Sequence, residues 1–214
     1  MGMQLRKTVI LSLSIAAVQL FAFPCLCQES KVKKFMRLSC PEKGWVIAHP
    51  FAASKAMRVS EDAQKETNNM AGSPFLDNYV NGGKLDAFRH CYWMALLCVE
   101  MHCRKARKLG KAHERGNKKD FKKGTLEEGY LPDQVSSTMD LWNNEVGIKI
   151  GRANSKSKAS AIKENVIQAI RSGECKIIRR DEHGRFLDCD GLPIQEKEWK
   201  GLWENSKCLI LSNQ

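Results

Sequence analysis

A chain of 214 residues with 43% hydrophobic and 28% charged side chains is long enough to bury a core, and is neither disordered nor a multi-span membrane protein. Its net charge of +11 favours anionic partners: a membrane surface or an acidic polymer. A nucleic acid is the unlikely member of that class, because charge is its only signal and the basic run lacks interleaved aromatics.

The first 27 residues read as a secretory leader. Arg6 and Lys7 give a positive start, Val9 to Phe23 is a mostly apolar run of 15 residues, and Cys25 and Cys27 stand at the −3 and −1 positions of a cut before Gln28. The run is short for a membrane span. Acylation of Cys25 or Cys27 is the alternative, but neither follows a small residue. Removing the leader takes away two cations and no acid, so +11 falls to +9. The expected location is therefore outside the cytoplasm, periplasmic or extracellular. There the seven cysteines left, Cys40, Cys91, Cys98, Cys103, Cys175, Cys189 and Cys208, should mostly pair, with one over.

Residues 28–44 form a polar, lysine-rich lead-in, expected to be extended or loop. After His49-Pro50 the pattern places Ala53, Met57 and Ala63 near one face of an amphipathic helix ending near Thr67. The Asn-, Gly- and Pro-rich stretch to Lys84 is a loop. A second helix starts near Leu85 and stays apolar to Val99. Arg104 to Lys123 then holds ten Lys or Arg against Glu114 and Asp120, read as helix to about Glu114 and exposed loop to Gln134. A third helix is expected from Thr138 to about Arg152 and a fourth from Ser157 to Ser172, stopped by Gly173. Alternation over Cys175–Asp190 with a turn at His183-Gly184 predicts a β-hairpin whose arms carry Cys175 and Cys189, which could bridge. The fold class is mainly α: a compact domain of about four helices over residues 45–172, with a small β-hairpin and a Trp/Cys-rich tail over 173–214 packed on it, stapled by disulfides.

The chemistry gathers on three segments. Asp86 and His90, four apart, share a helical face, where an acid can hold an imidazole in one tautomer. The competing reading makes Asp86 a first-turn carboxylate that caps the helix or pairs with Arg89. His113-Glu114 belongs to no HExxH, since position 117 is Asn, and a histidine near the end of a basic helix has a plain electrostatic role there. On the third helix Met139, Trp142, Val146 and Ile150 form an ordinary core stripe. Asp140, Asn144, Gly147 and Gly151 form another, whose glycines each cost about 1 kcal/mol of helix propensity and let a second backbone come close. Ser137 to Asp140 also spells a capping box. No serine motif supports a covalent nucleophile, and Cys91, next to His90, faces away from it on a helix.

The ordered segments "HPFAA", "DAFRHCYW", "AHE" and "MDLWNNEVG" resemble an uncharacterised domain family common in bacteria, over about residues 45–155. Mapped on this chain, the resemblance implies a common polar site of Asp86, Arg89, His90, His113, Glu114, Asp140, Asn143 and Asn144. The sequence departs from the pattern at Trp142, where a histidine is frequent.

Two functions follow as expectations. Two imidazoles with carboxylates suit a hydrolase acting on a lipid ester or phosphoester, either through a bound divalent metal or through a histidine acting as general base on water with Arg89 near the developing oxyanion. The alternative is a non-enzymatic exported binding or structural domain, in which the same groups are a buried hydrogen-bonded network and the basic surface docks an anionic partner.

Overall fold

The computed structural model describes residues 30–126 and 129–214; the expected leader over residues 1–27 lies outside the described residues. The chain is mainly helical, with seven helices among the described residues rather than about four: α1 (Lys31–Arg37), α2 (Cys40–Ala48), α3 (Pro50–Met70), α4 (Lys84–Glu100), α5 (Cys103–Lys123), α6 (Gln134–Ala153) and α7 (Ala159–Arg171). Strands β1 (Lys176–Ile178) and β2 (Leu209–Leu211) pair antiparallel. No helix among the described residues is long and apolar enough to cross a membrane.

The lead-in is helical after all. Ser39 and Glu42 form a reciprocal capping box and Pro41 sits in the first turn, which starts α2. Helix α5 runs through Lys123, not Glu114, and Gly124 ends it with a left-handed φ of 67°. Its inward face is built from small residues such as Ala106, Gly110, Ala112 and Gly116. A pattern weighted by large apolar side chains misses such a face.

Helix α4 is the hub: it packs on α3, α5, α6, α7 and β1, and 12 of its residues are buried. Its N-terminus is capped from outside by Asp77, which accepts from the N–H of Lys84 at 2.8 Å. Helix α6 lies along α4 in the same direction, Gly147 beside Cys91 and Gly151 beside Ala95. A Cβ on Gly147 would stand 2.2 Å from the Cys91 carbonyl oxygen, and one on Gly151 2.4 Å from that of Ala95. The start of α6 is capped by Asp133 and Ser136, one turn before the Ser137–Asp140 box. Met139 and Val146 are core, but Trp142 is 46% exposed, its indole N–H donating to Glu174.

The C-terminal region differs most from expectation. Turn bonds do form around Asp181 to Gly184, yet only the single bridge Arg180–Phe186 follows. Strand β1 pairs instead with Leu209–Leu211 from the tail, over a small core of Met139, Ile178 and Phe186. The disulfides are Cys98–Cys103 and Cys189–Cys208, so Cys175 does not bridge Cys189. Cys175 lies instead against Cys91, with sulfurs 3.3 Å apart and both residues buried. Cys40, the odd one, is exposed.

Two measurements check this packing. Gly147→Ala is expected to lower the urea-unfolding free energy by about 3 kcal/mol, at the upper end of overpacking costs because the clash is with backbone. Gly44→Ala, in a helix with nothing within 4 Å of the added carbon, is expected to raise it by up to about 1 kcal/mol. After mild oxidation, non-reducing peptide mapping is expected to recover a Cys91–Cys175 cross-link and leave Cys40 alkylatable; a map with Cys91 still free would contradict that pairing.

Candidate functional site

Gly82 and Gly83 turn the chain into α4 and set the first carboxylate of the site. Gly82, with φ 78°, donates its N–H to one oxygen of Asp86 at 2.6 Å and accepts through its carbonyl from Ile178 at 2.7 Å. The other Asp86 oxygen accepts from Arg89 at 2.6 Å. Asp86 is therefore more than a helix cap: it is a buried carboxylate whose charge two donors compensate.

One turn on, His90 is 1% exposed. Its Nδ1 lies 3.3 Å from the side-chain oxygen of Asn144, its Nε2 3.3 Å from Asp140 and 3.6 Å from Asp86. The glycine contact between α4 and α6 makes this possible, since a Cβ at Gly147 would push the Asp140–Asn144 face off the imidazole. The amide oxygen of Asn144 accepts from Nδ1 in the tautomer that carries its proton there, and in that tautomer Nε2 is the basic atom. Nε2 is buried and makes no hydrogen bond. Burial pushes the imidazole well below its ordinary range, Arg89 and His113 add to this, and the Asn144 contact opposes it. His90 is thus neutral at neutral pH.

His113 arrives from the middle of α5, not from its last turn. Its Nδ1 is 3.0 Å from Glu42, whose second oxygen accepts from Ser39 N–H at 2.9 Å and from the Ser39 hydroxyl at 2.7 Å. Burial alone would raise the Glu42 carboxyl, but the His113 contact and the Ser39 bonds outweigh it and hold it at about 2. The two imidazoles have ring centroids 6.2 Å apart, and Trp93 sets its edge against both.

His90, His113, Arg89, Glu42 and Trp93 line one cavity of about 230 Å³. Ser60 also lines it, but its hydroxyl donates to Ala56 at 2.9 Å and accepts from Trp93 at 2.9 Å, so it is no nucleophile. Cys91 is buried, with its thiol pushed far up by burial and by Cys175, and is inert as one.

The structure therefore brings together Asp86, Arg89, His90, Asp140 and Asn144, with His113 across the cavity. It leaves two expected residues elsewhere. Glu114 is buried and accepts from Asn117 at 3.1 Å, and it does not line the cavity. Asn143 ties α6 to the sheet, its amide donating to the Lys176 carbonyl at 3.0 Å and accepting from the Lys176 N–H at 2.9 Å. Glu42 is not among the sequence candidates, although the capping-box spelling Ser39-Cys40-Pro41-Glu42 is its signal.

A cation has one possible place among the described residues. Asp86, His90 and Asp140 each offer a ligand atom, all within 4.8 Å of one another. The spacings of 3.3 and 3.6 Å to Nε2 suit bonds of about 2 Å to one ion, but both Asp86 oxygens already accept short hydrogen bonds.

Residues 43–174 match the model of a family described as a domain of unknown function (DUF6973), and the chain belongs to that family. No curated protein and no solved structure matches it.

The Glu42 contact gives a pH test. Its carboxyl is lowered from 4.5 to about 2, so the stability it contributes is present above about pH 4.5 and is lost as pH falls toward 2. Glu42→Gln is expected to remove up to about 3 kcal/mol of that acid dependence, read from urea titrations between pH 2 and 7. A wild-type slope retained in the variant would mean the acid sensitivity arises elsewhere.

Proposed function

We propose that this protein is a hydrolase that uses His90 as a general base on water, with a lipid ester or phosphoester as substrate. The observation that supports it is the opposed setting of two imidazoles on one cavity: His90 neutral among buried groups, His113 against an ionised carboxylate. Titratable groups in contrasting environments are the pattern by which acid and base roles are divided.

In this mechanism Asn144 fixes the tautomer of His90 and leaves Nε2 to take a proton from water. The imidazolium formed lies 3.3 Å from Asp140 and 3.6 Å from Asp86, so these carboxylates interact with it far more strongly than with the resting neutral ring. That difference lowers the barrier, whereas equal interaction with both states would not. Arg89 faces the same cavity and meets the charge developing on a carbonyl or phosphoryl oxygen. His113, held by Glu42, returns a proton to the leaving oxygen.

Two observations keep rivals in view. The 4.8 Å grouping of Asp86, His90 and Asp140 favours a metal-assisted version, in which a divalent ion activates the water. The saturated bonding of Asp86 and the Asn143–Lys176 cross-link favour a purely structural network in an exported binding domain.

A hydrolysis screen on chromogenic carboxylic esters, phosphoesters and phospholipids separates them. On the substrate turned over, His90→Ala and His113→Ala are each expected to lower kcat about 10²- to 10⁴-fold at a temperature where both variants are still folded. Activity that disappears with chelator and returns with a divalent ion supports the metal version. No turnover, together with melting points that fall in both variants, supports the structural one.

A further inference from the structure

Beside the polar cavity lies an apolar groove. The groove, about 320 Å³, shares Leu38, Glu42, Ser60 and Trp93 with the cavity, and its far walls include Phe35, Val46, Ala53 and Met57. Its volume falls in the range of small-molecule sites, and polar groups concentrate at the histidine end. A ligand filling both spaces has an apolar tail and a polar, reactive head.

The three helices α1, α2 and α3, which supply most of the groove's lining, also carry four exposed large apolar side chains. Val32 is 72% exposed, Met36 64%, Ile47 71% and Phe51 97%. Val32, Met36 and Ile47 each adjoin a groove-lining residue in sequence, Lys31, Phe35 and Val46, and Phe51 lies one turn before Ser54. A single exposed hydrophobe is ordinary; four within 20 residues, on three helices that line one groove, concentrate apolar surface at this end of the chain. Cations flank it. Lys31 lines the groove, as does Lys34 in an ion pair with Glu61, and next to Glu42 in sequence Pro41 shares a hollow with Arg115, Lys118, Lys119 and Lys122 that no acid lines.

We infer that this face docks on an anionic lipid bilayer, with Val32, Met36, Ile47 and Phe51 entering the headgroup layer, and that the groove takes one hydrocarbon chain of a lipid from it. Apolar insertion holds the protein and the lysines supply attraction to anionic headgroups. An acidic polymer would need the cations and leave the apolar side chains without purpose. The inference rests on the hydrolase reading only for the step after docking: threading the chain through the groove sets the polar end of the lipid beside His90 and His113.

The test uses the protein expressed from its full coding sequence in an exporting host, in the N-terminal form the host leaves. Flotation with phosphatidylcholine vesicles, with and without phosphatidylglycerol, is expected to show binding that needs the anionic lipid and weakens with salt. Ile47→Ser/Phe51→Ser is expected to lower vesicle partitioning about tenfold or more while the melting point holds, since both residues are exposed. A dansyl-labelled fatty acid should bind the wild type and lose binding in Ala53→Trp, which fills the groove. Flotation and probe binding are read without turnover, so a failed hydrolysis screen leaves docking standing. No flotation, or partitioning unchanged by the double substitution, overturns the inference, as does a heparin interaction of equal strength in both proteins without any vesicle binding.

Discussion

The close approach of α4 and α6 is the constraint on which the rest depends. Two glycines on α6 leave no side chain between its backbone and the carbonyls of Cys91 and Ala95, so the helices run together tightly enough for Asp140 and Asn144 to reach His90. Helix propensity argues against both glycines by about 1 kcal/mol each. What offsets that cost is van der Waals contact along the length of α4 and a polar shell around a buried imidazole. The hub helix is apolar nearly all round because neighbours surround it, and apart from Glu100 at its end it carries charges only at its head, where Gly82 and Arg89 supply donors.

The two histidines of the cavity then differ by environment alone. His90 sits where solvent is excluded and where the neighbouring cations Arg89 and His113 disfavour its protonated form. His113 sits against Glu42, which three hydrogen bonds keep ionised far into acid. One ring is set to accept a proton and the other faces a fixed negative charge. The fold obtains this division by bringing α2, α4, α5 and α6 to one point, each contributing a side chain that is ordinary on its own helix.

How much of this is legible in the sequence depends on which interactions are local. The apolar run of α4, the i, i+4 pair Asp86 and His90, and the Asp140, Asn144, Gly147, Gly151 stripe are single-helix patterns, and the sequence shows them directly. Family resemblance adds His113. Helix α2 is hidden because its 9 residues lie in a lysine-rich stretch and only the capping box marks it, so Glu42 gives no other signal. The last turns of α5 are hidden because Gly116 and Asn117 pack inward where large hydrophobes are looked for. Strand pairing is the least local of all. A strand does form at β1, but nothing near Cys175 says that its partner is Leu209–Leu211 rather than the adjacent arm.

Periodicity places Ala53, Met57 and Ala63 near one face, and the packing keeps only Ala63 of them in the core. Helix α3 buries the stripe Ala52, Ala56, Val59, Ala63 and Thr67, and Ala53 and Met57 lie on its shoulder. A shoulder of small and flexible apolar residues beside a buried stripe is poor core design, because it leaves volume unfilled. It is a serviceable wall for an extended hydrocarbon, which needs a smooth apolar surface and no hydrogen bonds. The polar groups withheld from that wall are gathered at its inner end by His90, Arg89, His113 and Glu42. An amphiphile entering the groove therefore has one orientation in which its head leaves no buried carboxylate or imidazole facing methylene groups, and that orientation points its polar end toward the histidine side of the cavity.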